Sequence, residues 1–115
     1  MWFELSINSD DDWYVGKYRQ YYFKEESKEK ARLKTLKILT ELKDYQDQKD
    51  KKYNKCNKSD ARMFLDSALA NLDESSVEDF DCNGGFVYSA GNWEMEVYYV
   101  NIEINNGEII VSNPE

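Results

Sequence analysis

The sequence predicts an α+β domain: a single antiparallel sheet, elements in the order β-β-α-α-β-β-β, with two helices packed on one face. Three observations carry this. Segments at both ends of the chain alternate apolar and polar residues with the period of two that marks half-buried strands. The middle changes to a period near 3.6, behind serines suited to cap helices. Two turn signals, Gly91-Asn92 as a two-residue hairpin and Asn105-Asn106-Gly107, separate the C-terminal strands. With 115 residues, 41% of them hydrophobic and seventeen aromatic, residues 1–115 make one domain able to build its own core.

Phe3, Leu5 and Ile7 share one face of a first strand, Trp2–Ile7. Asn8-Ser9-Asp10-Asp11-Asp12 is a turn cluster, and Trp13–Phe23 is a second, aromatic-rich strand paired with the first. Tyr21, Tyr22 and Phe23 are consecutive, so one of them faces outward or sits at a bulge. Ser27 caps a helix from about Lys28 to Tyr45, with a continuation to Tyr53 as an alternative; Ala31, Thr35, Ile38, Leu42 and Tyr45 lie on its apolar face, Leu36 and Leu39 widen it, and Lys30, Lys34 and Lys37 lie opposite. Gln46–Lys58 is polar and lysine-rich, and is expected to be a frayed extension or a loop, the most mobile internal segment. Ser59 caps a second helix, with Asp60 at its positive end and Ala61, Phe64, Leu65, Ala68, Leu69 and Leu72 as its apolar stripe.

Asp73–Gly85 is an acidic loop. Phe86–Ala90 and Trp93–Ile104 follow as a hairpin, and Glu108–Ser112 is the last strand after Asn105-Asn106-Gly107. The long strand changes phase: Trp93, Met95, Val97 and Tyr99 have one parity, Val100, Ile102 and Ile104 the other. One regular strand cannot hold both sets on one face, which predicts a bulge or sharp bend near Tyr99–Asn101.

Charge is strongly segregated. The net −8 divides into −4 over Met1–Gly16, +7 over Lys17–Arg62 and −11 over Met63–Glu115, which holds no basic residue. An overall field of this sign opposes binding to nucleic acid or anionic membrane. No basic leader followed by an apolar run opens the chain and no apolar run spans a bilayer, so a cytoplasmic location is expected, with Cys56 and Cys82 as free thiols.

Catalysis finds little support. The chain has no histidine, the commonest general base. Two cysteines alone make no zinc site, and Gly84-Gly85 lacks the lysine and helix of a phosphate loop. Cys56 lies among Lys52, Lys55 and Lys58, which favours a thiolate, but no orienting base accompanies it. Asp79-Phe80-Asp81-Cys82-Asn83-Gly84 matches the first half of a calcium loop. The twelfth position is Ala90 where a bidentate glutamate is required, so no bound metal or other cofactor is expected, and a calcium-responsive module remains an alternative. A second alternative is a weak nucleic-acid binder using Lys30, Lys34 and Lys37 with Tyr18, Tyr21 and Tyr22 as stacking faces. Glutamates and aspartates interleave those lysines, and direct nucleic-acid binding is not the expected role.

The expectation that remains is a non-enzymatic binding protein. Its acidic half would dock on a basic surface of a partner protein, such as a nuclease or other nucleic-acid-binding protein. The expected contacts are Asp73, Glu74, Glu78, Asp79 and Asp81 in the loop and Glu94 and Glu96 on the sheet, with Trp93 and Tyr98 as aromatic anchors. In size, acidity and want of catalytic apparatus the chain is similar to small phage-encoded anti-defence inhibitors, several of which mimic DNA, and to immunity proteins that plug toxins. The likeness is one of composition and carries no residue across.

Overall fold

A computed structural model describes residues 1–9, 19–52, 60–74 and 86–112. Seven elements follow in the expected order: β1 (Trp2–Ser9), β2 (Arg19–Lys24), α1 (Lys28–Lys52), α2 (Asp60–Glu74), β3 (Phe86–Ala90), β4 (Trp93–Asn105) and β5 (Glu108–Ser112). The sheet is antiparallel, β2-β1-β4-β3, and β5 pairs with the far end of β4. The N-terminal strand is therefore central, between β2 and β4.

Register decides which residues meet on each face. Phe3 lies opposite Phe23 and Tyr99, Leu5 opposite Tyr21 and Val97, and Ile7 opposite Met95. These side chains, with Phe86, meet Ala31 and Leu39 of α1 and Phe64, Leu65, Ala68 and Leu72 of α2 in one core on the helix side. Phe3 stacks on Phe23 at 5.5 Å and on Tyr99 at 4.7 Å between ring centroids. The aromatic run on β2 resolves without a bulge: Tyr21 and Phe23 point to the core, and Tyr22, opposite Glu4, is 40% exposed on the other face.

Ser27 caps α1 as expected, its Oγ accepting from the Lys30 N–H at 3.2 Å. The helix continues to Lys52, and its buried line follows the expected one through Leu42 and departs from it at Tyr45. Tyr45 is 57% exposed, whereas Gln46 and Asp50 are buried and bonded to each other at 3.0 Å. Leu42 and Gln46 line a small cavity with Ile7 and Trp93 of the sheet and Ala61 and Leu65 of α2, so the covered line of α1 runs on through Gln46 and Asp50 rather than through Tyr45. Gln46 to Lys52, the first part of the segment expected to be most mobile, is thus helical and anchored by two buried side chains; residues 53–59, including the proposed Ser59 cap and Cys56, lie outside the described residues.

The expected stripe of α2 is buried, Leu69 partly so, and Arg62 joins it. Its guanidinium is 6% exposed and pairs with Asp47 of α1 at 2.5 Å and with Asp66 one turn on. Buried arginine requires such partners. The Arg62 hydrogen bond in turn holds the Asp47 carboxyl below its ordinary value.

Neither ladder of β4 contains a bulge, and at Tyr99–Asn101, where a bulge or sharp bend is expected, its pairing passes from β1 to β5. Pairing advances one residue at a time from Trp93 to Val100 against β1 and from Asn101 to Asn105 against β5. The phase change is resolved by a change of surroundings instead. Odd-numbered residues through Tyr99 face the core; beyond Val100 the strand pairs with β5 alone, and its even-numbered residues form the apolar face of a two-stranded ribbon. Asn106 and Gly107, both at positive φ (52° and 83°), close that ribbon with a two-residue turn, one residue shorter than the expected Asn105-Asn106-Gly107, because Asn105 pairs with Glu108.

Candidate functional site

Opposite the helices, the sheet presents a polar face. Alternation places Glu4 and Ser6 of β1 there because Phe3, Leu5 and Ile7 occupy the core side. By the same rule Glu94, Glu96 and Tyr98 of β4, Gln20 and Tyr22 of β2 and Val87 and Ser89 of β3 share that face. Register then brings three carboxylates together. Glu96 stands opposite Ser6, Glu94 opposite Asn8, and Glu4 opposite Tyr98, one diagonal step from Glu96.

The three differ in environment. Glu4 is 5% exposed, and its Oε1 accepts from Gln20 Nε2 at 2.6 Å and from the Tyr98 hydroxyl at 3.1 Å. Donors of this kind stabilise a buried carboxylate. Glu94 is exposed at the surface. Glu96, half-buried between them, hydrogen-bonds to the Glu94 carboxyl, and this bond, burial and the neighbouring charges of Glu94 and Glu4 push its pKa above the ordinary carboxylate value. The groups that perturb Glu96 are acidic. An incoming cation would favour the ionised form of Glu96.

Of the residues expected at a partner surface, Glu94, Glu96 and Tyr98 are brought together here. Glu4 was missed, although the first strand's alternation already placed it off the core; what it stands beside is a matter of long-range register. Trp93 lies on the other face, stacked on Phe64 at 5.5 Å. Its parity, shared with Met95 and Val97, was the available signal. There it lines an open groove of about 340 Å³ between the start of α2 and the β3–β4 turn, with Asp60, Met63 and Ser67.

Asp73 and Glu74 are exposed in the last turn of α2. Because Asp60 adjoins the β3–β4 turn and Ser67 hydrogen-bonds to Tyr88, that last turn lies toward the Phe86 end of the sheet, away from Glu94. Carboxylates at a helix C-terminus oppose the helix dipole, and no basic residue shares that turn. Glu78, Asp79 and Asp81, the calcium-loop residues through Asn83, and Cys82 lie outside the described residues.

Of the basic alternative, Tyr18 lies outside the described residues. Lys30, Lys34 and Lys37 lie on α1, and Lys30 pairs with Glu26 at 2.5 Å. Tyr21 and Tyr22 point to opposite faces of the sheet, so they do not form one stacking platform with each other. Among the described residues no group of three or more histidine, cysteine or acidic side chains is arranged to hold a metal ion, and no helix is long and apolar enough to cross a membrane. No family model, no curated protein and no solved structure matches the chain.

Proposed function

We propose that this chain is a non-enzymatic binding protein that presents carboxylates to a basic surface of a partner protein, one that ordinarily takes nucleic-acid phosphates. The observation that carries the reading is the polar face of the sheet. Glu4, Glu94 and Glu96 stand together there, and the groups that perturb Glu96 are other carboxylates. Such an arrangement costs stability in the free protein and is relieved by lysine or arginine from outside. Asp73 and Glu74, at the unfavourable end of the α2 dipole, add charge at a second place on the surface. The inhibitor and DNA-mimic role follows if the partner surface is the one that binds nucleic acid.

A pull-down from host lysate in low salt and in about 1 M salt, where exposed charges are screened within ~3 Å, tests the electrostatic mechanism. The captured protein is expected to be basic, to be released by salt, and to lose binding to the charge-reversed Glu94→Lys/Glu96→Lys variant. Retention undiminished in high salt argues against the mechanism, as does full binding after charge reversal at both Glu94/Glu96 and Glu78/Asp79/Asp81.

A further inference from the structure

Backbone hydrogen bonding in the ribbon formed by the end of β4 and β5, residues 101–112, leaves one row of groups unused. Asn105 and Glu108 flank a two-residue turn and pair with each other, so their N–H and C=O groups point across the hairpin. Backbone direction alternates along a strand, so Asn105, Glu103 and Asn101 bond to β5 while Ile102 and Ile104 point the opposite way. The β3–β4 hairpin sets the same phase. Ala90 pairs with Trp93 across Gly91-Asn92, which turns the odd-numbered residues of β4 to β3 and the even-numbered ones to β1. β1 pairs with β4 only as far as Trp2, opposite Val100. Beyond that point, in line with β1, the N–H and C=O groups of Ile102 and Ile104 have no partner among the described residues. The Ile104 residue is 76% exposed. Proteins blunt such an edge with lysine, proline or a bulge, and Asn101–Asn105 has none of these.

We infer that this edge takes an added strand, an extended segment of a partner protein in which basic and apolar residues alternate, running antiparallel to β4 as β1 does. An extended backbone matches the alternating donors and acceptors of the row. The side chains of β4 set the pattern of the guest. Its residues opposite Ile102 and Ile104 lie on the face that also carries Ile109 and Val111, where apolar side chains fit. Its residues opposite Asn101, Glu103 and Asn105 lie on the reverse face with Glu103 and Glu108, where lysine or arginine meets opposite charge. No basic residue occurs in Met63–Glu115, and the net −8 of the chain attracts a basic segment and repels a second copy. The outer edge of β5, at Ile109 and Val111, is of the same kind, but β4 is the better template. Its Trp93–Val97 part is held between β1 and β3, so its continuation is presented already extended, which lowers the ordering cost of binding. This contact lies apart from Glu94 and Glu96 and does not rest on the reading given for them.

Amide hydrogen exchange of the full chain, followed by NMR with a capped peptide of about seven residues alternating lysine and valine at about 0.1–1 mM, tests the inference. In the free chain the Ile102 and Ile104 amides are expected to exchange faster than those of Asn101, Glu103 and Asn105, which bond to β5. The peptide is expected to slow exchange at Ile102 and Ile104 by about tenfold or more. N-methylation of the peptide at the alternate residues whose N–H groups face the edge is expected to weaken binding about tenfold. Aspartate in place of its lysines, or Glu103→Lys in the chain, is expected to weaken binding about threefold or more. Exchange at Ile102 and Ile104 that the lysine peptide leaves unchanged overturns the inference, as does protection at Ile109 and Val111 instead. An N-methylated or aspartate peptide that binds like the lysine peptide also overturns it. Glu94→Lys/Glu96→Lys is expected to leave the protection in place; its loss in that variant overturns the inference by assigning the peptide to the polar face of the sheet.

Discussion

Glu96→Gln is expected to stabilise the protein at neutral pH and to lose that advantage in acid. Glu94 and Glu96 are two residues apart on one strand, a repeat of roughly 7 Å. Protonated, Glu96 bonds to the Glu94 carboxyl; with both ionised that bond is gone and the side chains relax toward the strand spacing. Two unit charges about 7 Å apart repel by about 2.4 kcal/mol at an effective dielectric near 20 and by about 0.6 kcal/mol in bulk water. Glu94 is exposed and Glu96 half-buried, so the value lies toward the lower end, and salt reduces it again. With Glu4 as a second acidic neighbour the total is about 1 kcal/mol, worth roughly 3–6 °C in Tm for a chain of this size. The folded-state pKa of Glu96 is raised, so the folded chain holds this proton more tightly than the unfolded chain. The resulting stabilisation is fully present below the unfolded pKa, about 4.3, and is lost as pH rises through the folded value. Glutamine removes the repulsion that persists above it. Thermal melts of both proteins from about pH 4 to 8 should therefore show the variant more stable at pH 7 and the difference closing toward pH 4. A variant that melts at or below the wild-type temperature at pH 7, or a difference that does not change with pH, refutes the account of the acidic face.

Arg62→Ala is expected to cost about 2–3 kcal/mol in urea denaturation, through two lost charge-assisted hydrogen bonds and the volume vacated between α1 and α2, whereas Arg62→Met, which keeps much of the volume, costs less. Equal losses for the two would show that charge, not packing, governs the site. Leu39→Ala, at a fully buried position between α1 and the sheet, should lower stability by about 2–5 kcal/mol, measured the same way. Ser27→Ala should cost about 1 kcal/mol by removing the cap of α1, and Ser27→Asp should restore most of it. If the proposed function holds, affinity for the basic partner rises with pH through the Glu96 titration, because an incoming cation favours the ionised carboxylate; calorimetry in buffers of different ionisation enthalpy should register proton release on binding.

Much of the local structure was legible because it is encoded within a few residues. Ser27 marks a helix start by its own hydroxyl, and the Asn106-Gly107 turn follows from the ease with which both residues adopt positive φ. The limits Phe86–Ala90 and Glu108–Ser112 fall where turn residues interrupt alternation. Errors arose where a residue's environment changes along an element. Tyr45 was placed on the buried line of α1 by periodicity alone, but it is Gln46, in a cavity between α2 and the sheet, and Asp50, bonded to it, that are covered instead. Arg62 was counted with the charges, and its two aspartate partners, one of them on the other helix, make its burial possible.

By itself, the sequence determined the element order, the core residues of α2 and the parity of the first strand, because helix and strand periods are local properties of the backbone. It also carried the charge segregation. Only the tertiary structure decided which strands are neighbours, and with that the composition of each face. Pairing β1 with β4 sets Glu4 beside Glu94 and Glu96, while Trp93 is turned to the helix side. The same pairing ends at Val100, which leaves Ile104 and Ile109 on an uncovered ribbon. Both outcomes are matters of register between segments some ninety residues apart, and hydrophobic periodicity within either segment does not specify its partner.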